Sequence, residues 1–149
     1  MGLTARTNNE AEMSPSKAQI GALVAQYHGE SIPEKTPNRL TPNKGFCAYT
    51  DYDSDENGDY TFFIGEEVTD LSSAPSDLTS LTIPKQSYIR FTTESGPMPQ
   101  IVIQAWQKIW KMTSKDFGGE RSYLTDFEVY DERAADLTNT IVDIYIGLK

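Results

Sequence analysis

The sequence predicts an α+β fold: a duplicated strand-helix-strand-strand module joined into one antiparallel sheet, with two helices on a face and a central ligand cleft where the halves meet. Three observations predict it. Two segments with helical spacing of apolar residues are each followed by two β-rich runs, so the order of elements repeats. Tyr49-Thr50-Asp51-Tyr52 in the first hairpin parallels Leu124-Thr125-Asp126-Phe127 in the second. Each hairpin's return strand ends in Ile-Gly, at Ile64-Gly65 and Ile146-Gly147. At 149 residues the chain fits a single domain, 1–149, with pseudo-repeats over about 2–70 and 78–149.

Ser14 and Pro15 carry the signals of a helix start, and Ile20, Leu23, Val24 and Tyr27 recur at helical spacing before Gly29, which predicts a helix over 15–28. Three prolines between Gly29 and Gly45 mark an irregular connection. Phe46–Tyr52 and Tyr60–Glu67 are rich in aromatic and β-favouring residues, and Asn57-Gly58 between them fits a tight hairpin turn. After a linker over Leu71–Asp77 come two short β-rich runs, Leu78–Ile83 and Ser87–Glu94, broken at Pro84. Met98–Met112 places Ile101, Val102, Ala105, Trp106, Ile109 and Trp110 on one face of an amphipathic helix. Two further strands, Ser122–Tyr130 and Thr140–Ile146, close the second half.

Composition narrows the function. Thirteen basic against twenty-two acidic side chains give a net charge of −9, a surface that repels phosphate backbones and argues against direct nucleic-acid binding. The single Cys47 cannot form an internal disulfide, and the single His28 cannot build a Cys/His zinc site or a Ser-His-Asp triad. No metal and no cofactor is expected. The longest apolar runs are only a few residues long and the first residues lack a hydrophobic signal core, so neither a membrane span nor secretion is indicated, and the cytoplasm is the expected location.

Residues 53–59 match the first half of a calcium-binding EF-hand loop, but Ile64 stands where the bidentate Glu belongs and strands flank the loop, so an acidic hairpin tip is expected. Asp51–Asp70 holds eight acidic residues and no basic one, a solvated negative face that could also meet a basic protein partner. His28 reads as a side chain of the last helical turn, and Cys47 as a small buried residue.

Glu128 stands out. It lies mid-strand in Asp126-Phe127-Glu128-Val129-Tyr130, and alternation turns Phe127 and Val129 toward a core while Glu128, Leu124, Asp126 and Tyr130 share the other face, either solvent or groove. A carboxylate among aromatic rings favours an apolar cation. Trp106 and Trp110 stand one helical turn apart, and Tyr49, Tyr88, Phe91, Tyr123, Tyr130 and Tyr145 lie on strands expected to surround that helix, so part of the set lines a cavity or all of it packs as core.

Four stretches, 50–58, 98–106, 125–130 and 143–146, resemble the bacterial effector-binding domains of AraC-type transcription regulators, also described as gyrase-inhibitor-like small-molecule-binding domains; the chain looks most like stand-alone forms encoded on mobile (integron) gene cassettes. The resemblance spans about Gly2 to Lys149. It implies two strand-helix-strand-strand modules about a pseudo-two-fold axis, and a cleft glutamate that pairs with cationic lipophilic ligands, matched here by Glu128. Tyr130, Tyr145 and Trp106 match aromatic positions of that cleft, and Tyr49, Phe91 and Trp110 join them by their place on strands and helix. Two departures follow. The chain starts late relative to the pattern, which implies a short or missing first strand and a more open cleft. No residues remain ahead of the domain for a helix-turn-helix, so any effect on transcription needs a partner. The expected function is binding of a hydrophobic, often cationic small molecule without catalysis. The rivals are a protein-interaction inhibitor module using the acidic face, and a small hydrolase using Glu128 as base.

Overall fold

The computed structural model describes residues Met1–Lys149. The first half comprises β1 (Gly2–Thr7), α1 (Asn9–Glu12), α2 (Ile20–Gly29), α3 (Ile32–Lys35), β2 (Gly45–Thr50) and β3 (Tyr60–Glu66). The second comprises β4 (Ser87–Thr92), α4 (Gln100–Trp110), α5 (Ser114–Phe117), β5 (Thr125–Tyr130), a 3-10 turn at Glu132–Ala134 and β6 (Asp143–Leu148). All six strands form one sheet in the order β1-β3-β2-β5-β6-β4, every pair antiparallel. That order maps onto itself when β1, β2 and β3 are exchanged with β4, β5 and β6, and the halves meet along β2 and β5. No helix is long and apolar enough to cross a membrane.

Several elements depart from the sequence reading. β1 is neither short nor missing: six residues pair with β3, from Gly2 opposite Gly65 to Thr7 opposite Tyr60. The first long helix starts at Ile20 rather than Pro15, because the Glu12 carboxylate accepts from the backbone N–H groups of Gln19 (2.8 Å) and Ile20 (3.0 Å) and caps it there. Ser14 instead closes a separate turn, its carbonyl accepting from Lys17 and Ala18. Leu78–Ile83 forms no strand; one bridge, Thr79 to Gly2, is its only ladder contact as the chain crosses from β3 to β4 at the opposite edge. Single-turn helices raise the helix number from two to five.

The tetrapeptide echo also resolves differently. Thr50 and Thr125 face each other at one end of the β2·β5 ladder, hydroxyls 2.9 Å apart, whereas Gly45 faces Tyr130 at the other. An axis through the ladder's middle therefore carries Thr50 toward the Tyr130 end, not onto Thr125. The Ile-Gly echo has a packing cause in both halves. A Cβ on Gly65 would collide with the Met1 carbonyl, and one on Gly147 would lie 2.8 Å from the Thr125 carbonyl.

Both long helices cover the same sheet face. Tyr27 of α2 packs with Ile32, Cys47, Tyr60, Phe62 and Ile64, and Val102, Trp106 and Ile109 of α4 pack with Phe117, Val142, Ile144 and Ile146. Burying such side chains contributes about 1.5–3 kcal/mol each. Tyr49 and Tyr130, partly buried, pack against both clusters and so bridge the two half-cores.

Candidate functional site

Glu128 sits on β5 directly opposite Cys47 of β2 and Ile144 of β6, both core residues under the helices. Its face is thus the helix-covered one, and Phe127 and Val129 point to the other side, the reverse of the orientation expected from alternation. Period-two spacing says which residues share a face, not which face the helices take. The Glu128 side chain is 1% exposed. Its Oε2 accepts hydrogen bonds from the Trp106 indole (2.6 Å) and the Tyr49 hydroxyl (2.8 Å), and its Oε1 accepts from the Tyr130 hydroxyl (2.6 Å). Three elements converge on the carboxylate: β2, α4 and β5 itself.

No Lys or Arg forms an ion pair with it. Burial pushes the Glu128 carboxyl up from its ordinary value, while the bonds from Tyr130, Trp106 and Tyr49 pull it back down. The Tyr49 and Tyr130 hydroxyls are pushed well up, by burial first and by the carboxylate second, so both stay protonated donors. The Cys47 thiol moves up for the same two reasons and stays an unreactive neutral group.

Two residues back on the same face, Asp126 is fully buried and differs in one respect. It accepts from Arg121 (2.6 Å), from the Tyr52 hydroxyl (2.6 Å) and from the Gly147 backbone N–H (2.8 Å). The chain supplies a cation to Asp126 and none to Glu128.

Of the predicted site residues the structure brings together Glu128, Tyr49, Trp106 and Tyr130. Tyr145 does not join them: it pairs opposite Phe127, stacks on its ring at 4.7 Å, and so lies on the far face of the sheet with Tyr88. Its strand is present over Asp143–Leu148 rather than Thr140–Ile146, and its face follows from a pairing register that the sequence does not display. Phe91 shares the helix-covered face yet packs against Phe117, ring centroids 6.1 Å apart. Trp110, a turn beyond Trp106, lines a separate cavity with Phe117 and Arg121. Sequence reasoning passed over Tyr60, which stacks edge-on to Tyr49 at 5.5 Å, and Tyr52, at 5.8 Å from Tyr60. The alternation of Tyr60 with Phe62 on a strand paired to Tyr49 was the available signal. It also passed over Arg121, which no local pattern connects to Asp126.

The acidic loop over 51–59 uses its side chains internally: Asp53 pairs with Arg6 at 2.7 Å, Asp55 accepts from the Asn57 N–H at 2.9 Å, and Asp59 accepts from Asn8 at 2.9 Å. No three acidic, His or Cys side chains converge in a metal-holding group. Asn57-Gly58 ends a turn that Gly58 N–H closes onto the Asp55 carbonyl, inside a longer loop than a two-residue hairpin turn.

Two three-stranded halves thus meet over one buried polar site in a single sheet of an α+β domain. The chain belongs to the Cass2 family of integron-associated effector binding proteins, whose profile matches residues 1–148. It is 30% identical over 150 residues to the "Putative transcriptional regulator protein YobU" of Bacillus subtilis, covering 99% of this chain and 90% of that one. The transcriptional regulator BrlR of Pseudomonas aeruginosa is 32% identical over 106 residues, 70% of this chain and 37% of BrlR. Among solved structures, an integron cassette protein from the mobile metagenome of Vibrio cholerae aligns with TM-score 0.75 and 28% identity over 99% of this chain and 88% of that one. SAV2435, solved with tetraphenylphosphonium bound, aligns with TM-score 0.72 and 17% identity over 99% of this chain and 86% of that one, a likeness of fold.

Proposed function

We propose that this single domain binds a hydrophobic organic cation at the seam of its sheet, with Glu128 as counter-ion and Tyr49, Trp106 and Tyr130 as the aromatic wall. One observation carries the reading: a fully buried carboxylate held by three aromatic donors and paired with no cation of the chain. Buried charges in folded proteins are paired, and Asp126 on the same face has Arg121. For Glu128 the partner comes from outside. Tyr49 and Tyr130 are partly buried at the seam, and their π-faces favour a cation that reaches the carboxylate. Three donors already occupy the carboxylate, which makes it a poor base for water and supports binding over hydrolysis.

The lipophilic cation bound by SAV2435 and the regulator names of YobU and BrlR support an effector role, exerted on transcription through a partner protein. The reading includes a cytoplasmic location, which the single unpaired thiol of Cys47 suits. Titrating tetraphenylphosphonium into the protein tests it: quenched Trp fluorescence and a raised melting temperature are expected, and weaker effects from neutral triphenylphosphine oxide. Absence of both responses to the cation, or an equal response to the neutral compound, overturns the reading.

A further inference from the structure

We propose that the cavity past the C-terminal end of α4 is a second small-molecule site, which takes an aromatic carboxylate on Arg121. The cavity measures about 520 Å³, within the range of drug-sized ligand sites. None of the three side chains that bond the Glu128 carboxylate lines it. One wall is apolar, from Trp110, Met112 and Phe117; Arg121, Tyr123 and Lys149 add a polar one.

Arg121 is the built element. Its side chain is 7% exposed, its Nη2 donates to Asp126, and its guanidinium lies 4.3 Å from the centre of the Tyr123 ring. Its Nε–H is buried with no acceptor at all. An unmet donor on a charged group is costly, and a guanidinium is best satisfied by a carboxylate. Lys149 adds a second positive charge, held only by an exposed pair at 3.2 Å with Glu120, which lines the same cavity and is neutralised by that pair. Glu56, the acidic residue of the hairpin tip that lines the same cavity, already accepts from the Tyr123 hydroxyl at 2.5 Å. Tyr123 holds a left-handed backbone, φ 50°, which a bulky aromatic residue seldom adopts, and strain of this kind gathers at ligand sites. A ligand ring laid on Trp110 and Phe117 with its carboxylate against the Arg121 guanidinium meets these features. The seam and this cavity then select opposite charges.

The test uses the full chain labelled with nitrogen-15, in which the indole N–H groups of Trp106 and Trp110 and the Nε–H of Arg121 report separately. On titration with 2-naphthoate, the Trp110 and Arg121 signals are expected to move together while Trp106 stays in place. 2-Naphthamide, neutral and of the same shape, is expected to bind about tenfold more weakly or worse. Arg121→Gln should abolish binding; because it also unpairs buried Asp126 and endangers the fold, Trp110→Ala is the second variant, with an expected loss of about tenfold. Unmoved Trp110 and Arg121 signals at millimolar naphthoate, or movement of Trp106 alone, overturn the site. Equal binding of naphthamide overturns the carboxylate.

Discussion

Replacing Glu128 by Gln keeps the side chain's volume and most of its hydrogen bonding, since the amide still accepts from Trp106 and Tyr49, and removes only the charge. An organic cation whose charged centre approaches the carboxylate to about 5 Å gains roughly 3 kcal/mol of Coulomb energy at an effective dielectric of about 20. The three donors at 2.6–2.8 Å and the hydration lost by the cation take back part of that gain. The net loss expected for Glu128→Gln is about 1–3 kcal/mol, a roughly ten- to hundredfold rise in dissociation constant. Isothermal titration of tetraphenylphosphonium against both proteins measures it, with triphenylphosphine oxide as the uncharged control. The buried position predicts that added salt changes the difference little. Equal affinity of the cation for wild type and Glu128→Gln, or an equal loss for the cation and the oxide, would refute the reasoning.

The pH dependence follows from the same carboxyl. Its folded value lies above the ordinary 4.5 because burial raises it more than the bonds from Tyr130, Trp106 and Tyr49 lower it. The folded state therefore holds the proton more tightly, and this contribution to stability is fully present below the unfolded value and lost as pH rises through the folded one. Wild type should thus lose stability relative to Glu128→Gln as pH climbs from the unfolded value toward neutrality, in urea melts taken at several pH values. A difference that stays flat across that window counts against a raised Glu128. At the start of α2, Glu12→Ala removes the acceptor for two backbone N–H groups and should cost about 1 kcal/mol of stability by denaturant unfolding; an unchanged midpoint would show that the cap is not needed.

What was legible in the sequence was periodicity and order. The Met98–Met112 pattern gives α4 to within two residues at either end, because the apolar stripe and its flanking prolines and lysines all agree. The hairpin strands are legible too, since aromatic and β-branched runs lie on either side of polar turns, but β5 and β6 start at Thr125 and Asp143 rather than at Ser122 and Thr140. Glu128 could be singled out because it stands mid-strand with large side chains on both sides, Phe127 and Val129 beside it and Tyr130 on its own face. The misses share a cause in long-range geometry. Tyr145 is expected in the cleft, yet its strand pairs so that it faces away, and the start of α2 depends on a carboxylate eight residues upstream. The Arg121 to Asp126 pair crosses the turn into β5, where no helical or strand spacing applies. β1 forms in full although the chain starts late relative to the family pattern, because six residues are enough to pair along β3 from Tyr60 to Gly65.

The pairing of β2 with β5 has a kinetic consequence. Strands β1, β3 and β2 pair within residues 2–66, and β4 pairs with β6 and β6 with β5 within 87–148, so each half can close its own ladders first. Only β2·β5 joins residues about eighty positions apart across the two halves, and such non-local closure is the slow, entropically costly step of folding. Until it forms, Glu128 of one half stays hydrated and Tyr49 of the other is not in reach. A cation that needs both is therefore a ligand for the assembled seam alone: it slows the parting of the halves without hastening their search for each other, and its presence should appear in the unfolding rate rather than the folding rate.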